Sequence, residues 1–194
     1  MNIFYKIGES FYNNIIYDNR YIYIFEGLFH TILIALFAVI MGIIIGLVIA
    51  LIRHYHDNTS RLKLLNKLSC MYVNVIRGTP VLLQLMIIYY VIFKSVNINI
   101  IIVGILAFGI NSGAYVSEII RSGLISIDKG QMEAGYTLGL NYGKIMKYII
   151  LPQAIKNVLP ALGNEFITLL KETSAGAYMG ILELTKASDI IASR

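Results

Sequence analysis

The sequence predicts an all-α membrane protein: a helical bundle of about four transmembrane helices, with a helix-turn-helix outside the bilayer before the last span. Three observations lead there. Hydrophobic residues fill 57% of the 194 positions and charged residues only 14%, against about a quarter in ordinary soluble domains. Mean hydropathy is +0.71. The apolar residues gather in runs long enough to cross a bilayer core, and the polar, glycine-punctuated stretch EAGYTLGLNYGKIMKYIILPQA interrupts them.

The first run, residues 25–52, has no charge after Glu26. It exceeds the ~20 residues a span needs and the usual length of a globular helix. The second, residues 71–93, carries VLLQLMIIYYVIF after Pro80, and the third, residues 98–120, carries IIIVGILAFGINSGAYVSEII. The fourth, residues 151–170, is weaker, being interrupted by Pro160 and by Lys156, Asn157, Asn164 and Glu165. Gly42-x-x-x-Gly46 and Gly109-x-x-x-Gly113 put small residues on one face of the first and third spans, where helices approach closely. No cleavable signal peptide is expected, because the first apolar run starts late and no short basic region precedes it. Residues 1–26 read as an external N-terminal segment, Tyr- and Asn-rich, with a helix lying at the interface. Residues 27–194 read as one transmembrane domain.

The net charge of +5 has a membrane explanation. Arg53, Arg61, Lys63 and Lys67 follow the first span, and Arg121, Lys129, Lys144 and Lys147 follow the third. The opposite side carries fewer, among them Lys6, Arg20 and Lys94. Basic loops stay in the cytoplasm, so the N-terminus is expected outside. No nucleic-acid partner is expected. His54 and His56 lack a third ligand nearby and read as juxtamembrane surface residues, so no metal is expected. Cys70 is the only cysteine, which excludes an intrachain disulfide. Gly143-Lys144 lacks the earlier glycine and the Ser/Thr of a phosphate-binding loop, and no HExxH or GxSxG occurs. The chain is therefore not expected to hydrolyse ATP or to hold a cofactor.

Within the interrupting stretch, residues 131–139 suit a short helix ended by Gly139, which tolerates a backbone turn other residues resist. Residues 141–150 suit a second, with Ile145, Tyr148 and Ile149 on one side. Pro152 then suits the start of the next helix, where its missing N–H costs nothing. On these grounds a docking element and a plain connector remain equally open.

Glu133-Ala134-Gly135-x-x-x-Gly139 followed by Ile149-x-Leu151-Pro152 resembles the EAA signature of permease subunits of ABC importers. Gly135 stands where that family usually has alanine, which loosens the helix by up to ~1 kcal/mol. Three more segments resemble the polar amino-acid subclass: Arg77-Gly78-Thr79-Pro80 through Gln84, Asn111-Ser112-Gly113-Ala114-Tyr115 with Glu118 and Arg121, and Gly163-Asn164-Glu165 through Ser174 with Glu183-Leu184-Thr185. The resemblance implies a bacterial inner-membrane permease whose loop, residues 131–152, is a coupling helix seated in an ATPase subunit. Glu133, Ala134, Gly135, Gly139, Leu151 and Pro152 are its coupling residues. It also implies an ATPase dimer, an extracytoplasmic solute-binding protein, a second permease subunit and an amino-acid substrate as partners, in surrounding lipid. Family members usually carry one more span after the ELT segment, so that span is expected to be missing here.

Polar groups inside a bilayer usually face a cavity or one another. Glu165, Asn111, Ser112 and Gln84 are the expected solute-binding residues, the competing reading being hydrogen bonds between helices. Glu118, Arg121 and Arg77 are expected to pair among themselves. The rival functions are a small intramembrane enzyme using Glu118, Arg121 and Lys171–Glu172 as acid–base groups, and a passive channel.

Overall fold

The computed structural model describes residues 3–193, all of whose regular structure is helical. Helix α1 (Ile3–Phe11) leads through tight turns to α2 (Tyr21–Thr59), a helix of 39 residues. The expected boundary at 26/27 therefore falls inside α2. Asp18 and Asn19 sit at positive φ between the two helices, which redirects the chain. Then follow α3 (Lys63–Gly78), α4 (Val81–Ile87) with a π turn over Ile88–Ile92, and α5 (Ile100–Ile125).

Helices α2 and α5 form the spine. A Cβ on Gly42 would lie 2.6 Å from Ser112 Oγ, and one on Gly46 would lie 2.7 Å from Val116 Cγ1 and 2.8 Å from the Ser117 backbone nitrogen. In return Gly109 faces Met41, and Gly113 faces Ile45. Both glycine pairs thus do what small residues do at helix crossings: they let two backbones approach. The contacts rise together along both chains, from Met41–Gly109 through Gly46–Val116, so α2 and α5 run parallel. Their C-terminal ends, with the basic loops that follow, lie on the same side. Around the crossing, Ile34, Ala38, Phe108, Leu85, Leu169 and Ile181 make the buried core.

The expected second span, residues 71–93, is not straight. Helices α3 and α4 meet at 108°. Thr79 is extended (φ −118°, ψ 145°), as the residue before a proline prefers. By length and apolarity α2 and α5 can each cross a membrane, and the bent α3–α4 pair can supply a third span. Helix α8 (Leu151–Glu172), at 22 residues, is the expected fourth. It runs antiparallel to α5, since Ser112 meets Glu165 while Gly123 lies against Val158. Its polar residues keep it below the apolarity of a simple span.

After α8 the chain makes a 3-10 turn over Thr173–Met179 and reaches α9 (Leu184–Ala192). This end is clasped to the start of α2. Leu184 N–H donates to Thr31 Oγ1 (3.2 Å), and His30 Nδ1 lies 2.8 Å from the Leu182 carbonyl. The buried Glu183 caps α9, accepting from the N–H groups of Thr185 and Lys186. Gly27 permits the clasp, because a Cβ there would lie 2.8 Å from the Glu183 carbonyl oxygen.

Candidate functional site

The loop after α5 is built as a capped helix pair. In α6 (Lys129–Thr137), the Asp128 side chain accepts from Gly130 N–H at 2.7 Å. Gly139, at φ +74°, closes the helix: Gly139 N–H donates to the Tyr136 carbonyl (2.9 Å) and Leu140 N–H to the Gly135 carbonyl (3.1 Å). This is the two-bond glycine ending of a helix, and it satisfies carbonyls that would otherwise be orphaned. The Asn141 side chain then accepts from Lys144 N–H (3.0 Å) and starts the next helix, α7 (Tyr142–Ile145).

Pro152 stands in the first turn of α8, as expected, but the second short helix does not stop before it. Tyr142 to Glu172 is one helical path, through a π turn over Met146–Ile150 into α8. Leu151 N–H reaches back to the Met146 carbonyl, five residues away. A proline inside an α-helix lacks its N–H and crowds the carbonyl four residues earlier; the wider turn immediately before Pro152 relieves this. The same extra residue shifts the buried face. Ile145, Met146 and Ile150 are buried, whereas Tyr148, expected on that face, is 67% exposed. Lys147 lies over the Tyr148 ring instead.

Gly135 also gains a reason. A Cβ there would lie 2.7 Å from Ile145 Cγ1 and 2.9 Å from its Cδ1. The glycine is the seat of a buried isoleucine, and together they fix α6 against α7. Gly135→Ala is therefore expected to weaken the loop despite its better helix propensity, by ~1–3 kcal/mol. Ile145→Ala alone loses packing as well. The double variant should be less damaged than the sum, with a coupling of ~1 kcal/mol or more in a thermal-unfolding double-mutant cycle. Strict additivity would break the assigned contact.

Tyr142 packs edge-on against Tyr55 of α2, with ring centroids 6.0 Å apart, tying the loop to the base of the spine. Burial, and then the neighbouring Tyr136 and Tyr55, raise its phenol above the ordinary tyrosine value, so it stays neutral at physiological pH. The tip presents Leu138, 77% exposed, and Tyr136. Glu133 lines a cleft between this loop and the ends of α2 and α5.

The four expected solute residues all lie in the bundle interior, as two pairs on either side of α5. Asn111 Nδ2 donates to Gln84 Oε1 at 2.9 Å. Gln84 Nε2 in turn donates to the carbonyls of Ile76 (2.7 Å) and Thr79 (3.0 Å) and to Thr79 Oγ1 (2.7 Å). Gln84 thereby caps the end of α3 and holds the α3–α4 bend. Ser112 Oγ donates to Glu165 Oε1 at 2.8 Å, joining α5 to α8.

The ion pairs differ from expectation. Glu118 pairs with Arg53, and Arg121 with Asp57 at 3.0 Å, both partners coming from α2. Arg77 lies over the Tyr115 ring at 5.3 Å. Glu118 and Arg121 are thus held separately on the spine rather than placed together as an acid–base pair. These α2 partners were missed because the side of α2 facing α5 is set by the Gly42/Gly46 crossing. Carrying that face on from Gly46 by about two turns would have pointed to Arg53, and by about three turns to Asp57.

Residues 38–190 match the model of the family described as binding-protein-dependent transport system inner membrane component. The chain belongs to this family. The permease is 38% identical over 177 residues to a putative glutamine transport system permease protein GlnP of Rickettsia prowazekii, covering 90% of this chain and 79% of that one. It is 42% identical over 161 residues to the arginine transport system permease protein ArtQ of Bacillus subtilis, covering 82% and 71%. A solved amino acid ABC transporter with histidines shares 43% identity and a TM-score of 0.80, over 88% of this chain and 78% of that one. As a permease subunit the chain performs no covalent chemistry; ATP is hydrolysed by a separate subunit. Nothing in these likenesses favours the enzyme or channel readings.

Proposed function

We propose that this permease moves polar amino acids, with a preference for basic ones, in an ATP-driven importer of the bacterial inner membrane. An ATPase dimer docks on the loop at residues 131–152, through Glu133, Ala134, Gly135, Gly139, Leu151 and Pro152. An extracytoplasmic binding protein delivers solute to the opposite face, and a second permease subunit, identical or similar, completes the pathway. The observation that carries the basic preference is the Glu165 carboxylate, buried between α5 and α8 and bonded to Ser112. Glu172 lies about two turns further along the same helix. The ion pairs among the described residues leave both carboxylates unpaired with Lys156 or Lys171. Ser112 and Glu165 are the solute-contacting pair, with Asn111 and Gln84 supporting them through the α3–α4 bend.

The test is uptake of labelled arginine and glutamine into vesicles holding permease, ATPase subunit and binding protein. Uptake should require ATP, and downhill flux without the ATPase subunit would favour a channel instead. In this reading the N-terminus lies outside. A reporter fused at Lys63 or Asn141 should read cytoplasmic and one at Asn97 external. Inverted readings would remove the loop from the side where ATP is found.

A further inference from the structure

The helix pair that carries Ser112 and Glu165 opens again nearer the coupling loop. Between α5 and α8 lies a cleft of about 630 Å³, lined by Glu118, Ser122, Ser126 and Asn157, with small Gly123 and Ala161 among them. Its volume falls within the ~300–1,000 Å³ of small-molecule sites. Its walls are tied down. Arg53 of α2 donates to Glu118 Oε1, and Asn157 Nδ2 donates to Ser126 Oγ at 3.0 Å. Gly123 sets the depth, since a Cβ there would collide with Val158.

The register places the cleft on the route from Glu165. Ala161 and Asn157 precede Glu165 on α8 by about 6 and 12 Å along the axis, and Ser122 follows Ser112 on α5 by about 15 Å. A carboxylate, an amide and two hydroxyls along the walls suit water or a polar solute rather than a lipid chain.

We propose that this cleft is a second solute subsite, on the coupling-loop side, which the transported amino acid occupies after leaving Glu165. The Ser122 hydroxyl and the second amide N–H of Asn157 offer donors to the α-carboxylate, the Ser126 O–H being held by the Gly123 carbonyl. Glu118 keeps acceptor capacity beside its Arg53 bond and suits an ammonium or guanidinium group. The inference rests on the transport reading given above.

The experiment uses the complete transporter in vesicles with Cys70→Ser as background. Ala161→Cys and Ser122→Cys are probed with a membrane-impermeant thiol reagent from the ATPase side, with and without saturating L-arginine. Both positions should label, and arginine should slow labelling at least threefold, whereas Lys63→Cys, at the start of α3 on the same side, should label at a rate that arginine does not change. The second position keeps the test decisive if one variant assembles poorly. Absence of labelling at both would mean that lipid or the second permease subunit fills the cleft, and would overturn the proposal. Labelling that arginine does not slow would also overturn it. Uptake by the same preparations separates the two readings: uptake without protection removes the subsite alone, while loss of every amino-acid flux in the Cys70→Ser parent removes the transport reading.

Discussion

Replacing Gly139 with valine is expected to abolish ATP-driven uptake while leaving the protein in the membrane. The residue sits at φ +74°, and a Cβ added there would meet nothing within 4 Å. The cost is therefore one of backbone conformation rather than of collision. An L-residue in this region costs ~1–2 kcal/mol, and a β-branched one more, because its side chain crowds the backbone. Relieving that strain means giving up the Gly139–Tyr136 and Leu140–Gly135 bonds, which aim Leu138 and Tyr136 outward at the loop's tip. At ~1.4 kcal/mol per factor of ten, the docking-competent loop should fall at least tenfold in population. Asparagine tolerates the left-handed region, so Gly139→Asn should keep most of the uptake. Co-purification of the ATPase subunit, read beside uptake, checks both variants. Wild-type uptake with full ATPase retention in the valine variant would overturn the docking-turn assignment. Equal loss in both would shift the cause away from φ.

That turn was legible in the sequence because its signals are local. A glycine ends a helix, and an asparagine capable of capping starts the next. The Gly42/Gly46 and Gly109/Gly113 pairs were legible for a similar reason, since small residues four apart mark a face whatever lies opposite. The bend at Pro80 was half legible. Gly78-Thr79-Pro80 announces that a helix will not continue, yet the apolar run after it invited a straight span. What closes the bend is Gln84, four residues beyond the proline, folding back onto carbonyls of Ile76 and Thr79. An isolated glutamine in an apolar run reads equally well as a solute ligand or as a cap, and only the fold separates them.

Pro152 shows the same ambiguity at a helix junction. A proline after a helical stretch fits a new start or a π turn, and the two differ in which residue follows Ile145 onto the buried face. The ion pairs were not legible because each needs the rotational phase of two helices. Once α2 and α5 are known to be parallel and close-packed at their glycines, Arg53 falls opposite Glu118 and Asp57 opposite Arg121. The crossing that packs the spine thus also holds Glu118 beside the α5–α8 cleft.

Glu165→Gln is expected to reduce arginine uptake far more than glutamine uptake. The carboxylate is buried, and its hydrogen-bond partner is a neutral donor, Ser112 Oγ. Its charge is not neutralised by a salt bridge to either lysine of α8. A cation about 4 Å away, in surroundings of effective dielectric about 20, gains about 4 kcal/mol before its own desolvation is counted. Even a quarter of that, kept after desolvation, corresponds to about fivefold in apparent affinity. The amide preserves the shape of the side chain and still accepts a bond from Ser112, so the bundle should assemble normally. Arginine uptake should therefore fall about tenfold through a raised apparent KM, with glutamine uptake changed less than about twofold. Ser112→Ala should produce a smaller loss of the same kind, because it frees the carboxylate without removing its charge. Competition between the two labelled solutes in vesicles holding the complete transporter gives the comparison directly. Equal losses for both, or no loss for either, would make Glu165 a helix-to-helix tie between α5 and α8 and return the choice of solute to the binding protein.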